Sequence, residues 1–152
     1  MFTNQIRSEI VIEGSAEEVW SVLADFGSYG AWNPGMNRVE GEPRVGSRLV
    51  IRFTPVGRRA MTIKPVVTVV EPERELRWLG RLLIPGLFDG EHRFELHPDG
   101  SGSVRFVQSE RFKGLLVPFV RRMIEVDTVA TFEAVNQALA DRVSGLRVAG
   151  PA

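Results

Sequence analysis

Alternating apolar and polar residues predict that most of this chain forms β-strands. In IRSEIVIEG (6–14) the isoleucines all fall at even-numbered positions, as in a half-buried strand, whose side chains alternate between two faces. Six further segments with strand-like patterns follow, separated by turns rich in glycine, proline and charged residues. The predicted strands are 6–14, 38–42, 46–54, 59–71, 75–82, 88–97 and 103–112. Short connections favour an antiparallel meander, and Pro65 inside the fourth strand indicates an edge position or a bulge.

Two other stretches have helical spacing. GSAEEVWSVLADF begins with Ser15 and carries Glu18 three residues later, as in a capping box. A second helix, from about Leu115 to Val143, would extend roughly 40 Å at 1.5 Å per residue. Pro118 lies in its first turn or kinks it. Between the first helix and the second strand, GSYGAWNPG (27–35) predicts a short helix or loop.

The order of these elements predicts an α+β fold. A strongly curved antiparallel sheet of about seven strands would wrap around the long C-terminal helix, which alone is long enough to cover the apolar face of the sheet. Two short helices would follow the first strand. The chain has 152 residues, 43% of them apolar, which suffices for a full core. We therefore predict a single domain over residues 1–146 and a flexible tail over residues 147–152.

Composition excludes several classes of function. The chain has no cysteine, so disulfides, thiolate catalysis and Cys-ligated metals are excluded. Basic and acidic residues number 19 each, which gives no overall attraction to nucleic acid. The N-terminal MFTNQIRSEIVIEG lacks the pattern of a signal peptide, and no apolar run approaches the roughly 18 residues of a membrane span. We expect a cytoplasmic protein with no nucleic-acid partner and no integral membrane association.

The segment SVRFVQSERF (103–112) carries two polar residues on its apolar face. Gln108 and Glu110 share the parity of Phe106 and Phe112. Pairing the last two strands around PDGSG places His92 opposite Gln108, and a slip of two residues would place it opposite Glu110. Either register keeps all three polar side chains on one face, because side chains repeat every two residues.

A close-packed core would favour Val or Leu at these positions, since a buried unpartnered amide costs about 1–3 kcal/mol. The pattern predicts a cavity with water or ligand near the strand ends, mostly apolar with a few polar groups. Two alternatives stay open. The three side chains bond to one another or to loop backbone and only close the end of the barrel, or they carry out acid–base catalysis.

The sequence resembles the helix-grip superfamily (SRPBCC) that includes START domains, Bet v 1-type allergens and polyketide cyclases. Three stretches carry the resemblance: IVIEGSAEEVWSVLADFGSYGAWNP, VVTVVEPERELRW and HRFELHPDGSGSVRFVQSERFKGLLVPF. The resemblance implies an elongated cavity between the sheet and the C-terminal helix. Members include lipid carriers, hormone receptors, chaperone cofactors, aromatases and cyclases, and they share no universal catalytic residue.

The first functional hypothesis is a carrier or sensor of a small hydrophobic molecule, such as a lipid, isoprenoid or aromatic polyketide. The residues expected to bind it are Trp32, Phe53, Trp78, Phe88, His92, Phe94, Phe106, Gln108, Glu110, Phe112, Phe119 and Met123. His92, Gln108 and Glu110 would orient its polar end, and the loop RLLIPGLF (81–88) would form a lid with the start of the last helix.

The alternative is a cyclase, aromatase or dehydratase without a cofactor. His92 or Glu110 would act as general acid or base, because a carboxyl group in an apolar cavity favours its neutral form. Gln108 would stabilise an oxyanion, with Tyr29 as a further donor if its loop folds inward. One His and one Glu are too few for a zinc site, so we expect no metal.

Two matters stay open at this stage. A third hypothesis is a protein-binding module that uses the outer face of the sheet, although no large apolar patch is visible there by parity. The long helix and the edge strands would also permit a homodimer.

Overall fold

A computed structural model describes residues 2–82 and 84–150 of the chain. The strands are β1 (Thr3–Glu13), β2 (Met36–Glu40), β3 (Val50–Phe53), β4 (Met61–Ile63), β5 (Val66–Glu71), β6 (Glu75–Arg81), β7 (Asp89–Pro98) and β8 (Ser103–Lys113). The helices are α1 (Ala16–Leu23), a 3₁₀ turn (Phe26–Ser28), α2 (Tyr29–Trp32), α3 (Val117–Arg122), a π-helical segment (Met123–Thr128) and α4 (Val129–Ala149). The predicted α+β fold is confirmed.

The strands form two antiparallel sheets instead of one. Their orders are β1-β8-β7-β6-β5 and β2-β3-β4. The predicted long strand 59–71 is divided at Pro65, which has no N–H to extend the ladder. The margins of the two sheets remain joined, because the N–H of Leu49 donates to the carbonyl of Pro65 and that of Gly46 donates to Val67, each at 2.8 Å. The described residues therefore form eight strands, where the sequence predicted about seven.

The predicted capping box starts α1. The N–H of Glu18 donates to Ser15 Oγ at 3.1 Å, and the N–H of Ser15 donates to Glu18 Oε1 at 3.0 Å. The two bonds satisfy the backbone N–H groups of Ser15 and Glu18, which have no partner within the helix. They therefore fix where the helix begins. Val19, Val22 and Leu23 are buried, so one face of α1 closes one end of the core.

The C-terminal helix is longer than predicted and contains an irregular turn. It begins at Val117 and has Pro118 in its first turn, the first of the two predicted alternatives. Its last part, α4, continues to Ala149, inside the segment 147–152 that the sequence assigned to a flexible tail. Gly150 ends it with a φ of 72°, which glycine adopts without strain. The remaining residues of the predicted tail lie outside the described part of the chain.

The last hairpin settles the register that the sequence left between two alternatives. His92 pairs with Glu110 and Phe94 with Gln108, so the slipped register is correct and the first one is wrong. The turn decides this, because the Asp99 N–H donates to the Ser103 carbonyl at 3.1 Å, which centres the turn on Ser101 and not on Gly100.

The core is divided into two apolar clusters. The larger cluster lies between the sheets, α1 and α4 and includes Phe94, Phe106 and Leu139. The smaller cluster lies beside the start of the C-terminal helix and includes Phe112 and Phe132. The polar residues of β7 and β8 lie between these clusters along the same strands.

Candidate functional site

β7 and β8 bring the three predicted polar residues together on the face that packs against α4. His92 and Gln108 are buried, and the Glu110 side chain is 17% exposed. His92 Nδ1 lies 3.8 Å from Glu110 Oε2. This distance is too long for a hydrogen bond, so the pair is an electrostatic contact when His92 is protonated.

Gln108 is held by a chain of side-chain hydrogen bonds that crosses from β8 through α4 to β1. Its Nε2 donates to Asn136 Oδ1 at 2.9 Å, and Asn136 Nδ2 donates to Ser8 Oγ at 2.9 Å. A longer contact of 3.4 Å runs from Gln108 Nε2 to the Phe132 carbonyl. The network fixes the orientation of the Gln108 amide, since its nitrogen is committed to acceptors on α4.

Two atoms of this site have no hydrogen-bond partner among the described residues. They are His92 Nε2 and Gln108 Oε1, and both are fully buried. Buried polar atoms are paired in nearly all proteins, and an unpaired one costs about 1–3 kcal/mol. Because His92 and Gln108 lie on adjacent strands and share a face, both atoms belong to one polar site.

Aromatic rings enclose the His92 imidazole. The Trp78 ring stacks on it with 5.1 Å between centroids and 15° between planes. Phe94 and Phe132 meet it edge-on at 4.5 and 5.1 Å. These contacts leave the imidazole little freedom to rotate, so its orientation is set by packing.

Glu110 owes its position to a glycine on the neighbouring strand. A Cβ atom on Gly90 would lie 3.0 Å from Glu110 Oε1, which is closer than nearly all real Cβ contacts. The absent side chain at Gly90 lets the carboxylate lie across β7. Gly90 is therefore part of the site, although it was not among the predicted binding residues.

The predicted binding residues differ in how far they are buried. Buried ones are Trp78, His92, Phe94, Phe106, Gln108 and Phe112. Partly buried ones are Trp32, Phe53, Phe88, Glu110 and Met123. Phe119 is 83% exposed, so its predicted place in the cavity wall is wrong for this structure. Val117 and Val120 of the same helix turn towards the core instead, which directs Phe119 to solvent.

The interior at the site is filled with side chains. Phe94 stacks on Phe106 with 5.7 Å between centroids, and Phe88 stacks on Phe112 at 5.5 Å. Two pockets open to solvent elsewhere, one on the outer face of β2-β3-β4 and one beside the turn Pro72–Arg74. Neither pocket is lined by a predicted binding residue. A ligand at the polar site therefore requires the helix and the sheet to separate.

Tyr29 is excluded from the site by its own hydrogen bond. Its hydroxyl donates to the Leu23 carbonyl, and the side chain is fully buried. Burial, assisted by the negative charge of Asp25, raises the pKa of Tyr29 above its ordinary value of 10.0. The phenol is thus a structural donor that ties α2 to the end of α1.

The polar site combines one histidine and one carboxylate with amide and hydroxyl groups. Within residues 2–82 and 84–150, no three His, Asp or Glu side chains converge. The unpartnered His92 Nε2 and Gln108 Oε1 are the groups of this site that remain able to form hydrogen bonds.

Sequence reasoning missed Asn136 and Ser8 as members of the site. Asn136 lies one helical turn after Phe132, within the apolar stripe of α4. A polar residue in such a stripe is the available signal, because residues four apart share a helix face. The pairing of Ser8 with Asn136 depends on how α4 crosses β1, which no sequence pattern indicates.

Solved structures with the same architecture support the fold. The Zhui aromatase/cyclase from Streptomyces sp. R1128 is 18% identical, with a TM-score of 0.81 over 99% of this chain and 100% of that chain. Norcoclaurine synthase from Thalictrum flavum is 19% identical, with a TM-score of 0.72 over 95% and 88%. A START superfamily protein from Mycobacterium smegmatis is 21% identical, with a TM-score of 0.72 over 93% and 97%. These likenesses confirm the predicted helix-grip fold.

The family assignment comes from the sequence itself. No curated protein matches the chain. None of the helices within residues 2–82 and 84–150 combines the length and apolarity needed to cross a bilayer. The family described as polyketide cyclase/dehydrase and lipid transport matches residues 3–144. This match supports a ligand-binding or cyclase role without distinguishing the two, and the chain belongs to the polyketide cyclase/dehydrase and lipid transport family.

Proposed function

We propose that this protein binds a small hydrophobic molecule between the sheet and the C-terminal helix. The observation that carries the proposal is the pair of buried, unpartnered atoms His92 Nε2 and Gln108 Oε1. A ligand hydroxyl would satisfy both, donating to Gln108 Oε1 and accepting from His92 Nε2–H. Family membership supports a ligand of this general kind.

The apolar surroundings would supply most of the affinity. Rings of Trp78, Phe94 and Phe132 already surround His92, and transfer of apolar ligand surface from water contributes about 25 cal/mol per Å². The ligand would replace ring–ring contacts that close the site. Binding therefore requires a separation of α4 from the sheet, and its free energy is reduced by the cost of that opening.

Calorimetric titration with 2-naphthol and 2-methoxynaphthalene tests this proposal. The two probes share an aromatic body, but only the naphthol donates a hydrogen bond. We expect the naphthol to bind about fivefold more tightly, which corresponds to one hydrogen bond of about 1 kcal/mol. Gln108→Leu should remove the difference. Gln137→Leu, at an exposed position of α4, should preserve it. Failure of both probes to bind would exclude a binding site for an aromatic molecule of naphthalene size between the sheet and the helix.

A cofactor-independent cyclase or dehydratase is the second candidate. The observation that favours it is the position of His92, with Nδ1 facing Glu110 at 3.8 Å and Nε2 free towards the interior. In that arrangement Nε2 would accept a proton from substrate carbon, while Glu110 would stabilise the imidazolium that forms. The predicted role of the Gln108 amide as an oxyanion partner does not fit this arrangement. Its Nε2 already donates to Asn136, and the remaining Oε1 is an acceptor.

Conversion of an acyclic β-polyketone distinguishes the two candidates. His92→Gln should abolish any conversion while the naphthol still binds. His97→Gln is the matched control, because His97 is the only other histidine and lies exposed at the end of β7. Equal loss in both variants, or unchanged conversion in His92→Gln, would exclude His92 as the base.

A further inference from the structure

One end of the molecule is built by three segments that are distant in sequence. The N–H of Gly114 donates to the Phe2 carbonyl at 2.9 Å, and the N–H of Leu115 donates to the Gly86 carbonyl at 3.1 Å. The chain before β1, the loop between β6 and β7, and the start of the C-terminal helix therefore meet. The loop and the helix start, which the sequence predicted to form a lid together, are joined by these backbone bonds.

Large apolar side chains are exposed on all three segments. Together they form what we call the apolar end: Phe2, Leu82, Ile84, Leu115 and Phe119. Phe119 is 83% and Ile84 62% exposed. Large apolar side chains exposed together in one region of a protein often mark a contact with a partner. Their exposure also means that these side chains do not fold over the interior.

The apolar end has an excess of positive charge at its border. Segments 81–89 and 113–125 contain four basic residues and two acidic ones, namely Arg81, Lys113, Arg121, Arg122, Asp89 and Glu125. Arg121 pairs with Glu125 at 2.8 Å, and Arg81 lies 4.0 Å from Asp89. Within the described residues, Lys113 and Arg122 have no carboxylate at ion-pair distance. The chain as a whole carries no net charge, so this excess is local.

We propose that the apolar end docks onto the surface of an anionic lipid bilayer. Apolar side chains would enter the boundary between headgroups and acyl chains, and Lys113 and Arg122 would contact the phosphates. Docking at a surface needs no spanning helix. The inference is independent of the proposed ligand, because none of the residues of the apolar end belongs to the polar site around His92.

A second copy of the chain fits this surface less well. A two-fold contact places the same patch of both copies face to face. Both copies would then bring the same excess of basic side chains to one interface, and like charges at an interface oppose association. An anionic bilayer supplies apolar depth and opposite charge together.

Co-sedimentation with vesicles tests the proposal. We expect the full chain to bind vesicles of equal parts phosphatidylcholine and phosphatidylglycerol, and to bind pure phosphatidylcholine much less. The doubly substituted Ile84→Ser, Phe119→Ser protein should lose about tenfold or more in partition coefficient, because each removed side chain no longer buries apolar surface. Val11→Ser, Val148→Ser is the matched control, since both valines are exposed elsewhere on the molecule, and it should bind like the unsubstituted protein.

The charge contribution is tested with the two lysines of the chain. Lys113→Gln should weaken binding to the anionic vesicles about fivefold, as expected for one basic side chain near such a surface. Lys64→Gln should leave this binding unchanged, because Lys64 is exposed in the connection between β4 and β5. Equal binding to both vesicle types, or no loss on substitution of Ile84 and Phe119, would overturn the proposal. So would a dimer in analytical ultracentrifugation that these substitutions dissociate, because the apolar end would then be a contact between copies.

Discussion

Glu110 lies directly opposite His92 in the β7–β8 pair, with its Oε2 atom 3.8 Å from His92 Nδ1. Backbone register alone brings the two side chains together, whereas packing against Trp78 and Phe132 orients the imidazole. The Glu110 carboxylate also requires a residue without a side chain at position 90, because it lies across Gly90. Both sides of the pair are therefore fixed by neighbours that carry no charge.

Replacement of glycine by alanine tests whether Glu110 requires the space beside Gly90. Gly80 and Gly90 are direct partners in the β6–β7 pair, and a Cβ on Gly80 meets nothing closer than 3.7 Å. We expect Gly80→Ala to stabilise the protein by about 0.5–1 kcal/mol, because alanine loses less backbone entropy on folding. Gly90→Ala should gain less, since its Cβ displaces Glu110.

Denaturant unfolding of a double-mutant cycle provides the measurement. In the Glu110→Ala background the two alanine substitutions should become equivalent. A Gly90→Ala effect that is unchanged by the removal of Glu110 would contradict the contact.

The hydrogen-bond chain from Gln108 to Ser8 predicts non-additive stabilities. Asn136→Leu should cost about 1–3 kcal/mol, because it leaves the buried Gln108 amide without its main acceptor. The Gln108→Leu, Asn136→Leu double substitution should cost less than the sum of the single changes, since both polar partners are removed together. Chemical denaturation measures each value, with the exposed Gln137→Leu as a control within about 0.5 kcal/mol of the unsubstituted protein.

Titration of the single tyrosine tests the raised pKa of Tyr29. The chain contains one Tyr, so tyrosinate absorbance reports this residue alone. We expect no ionisation near its ordinary pKa of 10.0 while the protein is folded, and normal ionisation there in denaturant.

The same shift has a consequence for alkaline stability. Because the folded protein holds the phenolic proton more tightly than the unfolded chain, the stabilisation from Tyr29 is complete below pH 10.0 and decreases as the pH rises further. Tyr29→Phe should be less stable near neutral pH because it loses the bond to Leu23, and should lack this alkaline decrease. A native-state titration at the ordinary pKa would contradict the burial of the hydroxyl.

Gly114 is predicted to be necessary for the junction between the β6–β7 loop and the C-terminal helix. Its φ is +141°, and a Cβ there would collide with the Leu87 carbonyl. Gly114→Ala should destabilise the protein by about 1–3 kcal/mol, because the backbone is both strained and crowded. Gly145→Ala, in an exposed turn of α4 with open space around it, should stabilise it by up to about 1 kcal/mol. Thermal unfolding of the two variants compares these opposite signs.

Periodicity in the sequence determined the element types, the capping box of α1 and the face shared by His92, Gln108 and Glu110. These features are local, or depend on a period of two, so the residues themselves specify them. The order of the elements, with one helix long enough to cover the sheet, also predicted how they assemble.

Tertiary structure decided the features that depend on distant contacts. The turn after Pro98 selected the register that pairs His92 with Glu110, and the crossing of α4 over β1 joined Asn136 to Ser8. Packing of Val117 and Val120 against the second cluster turned Phe119 outward. No pattern along one strand or helix encodes how it meets another, because that geometry minimises the free energy of all the packed surfaces at once.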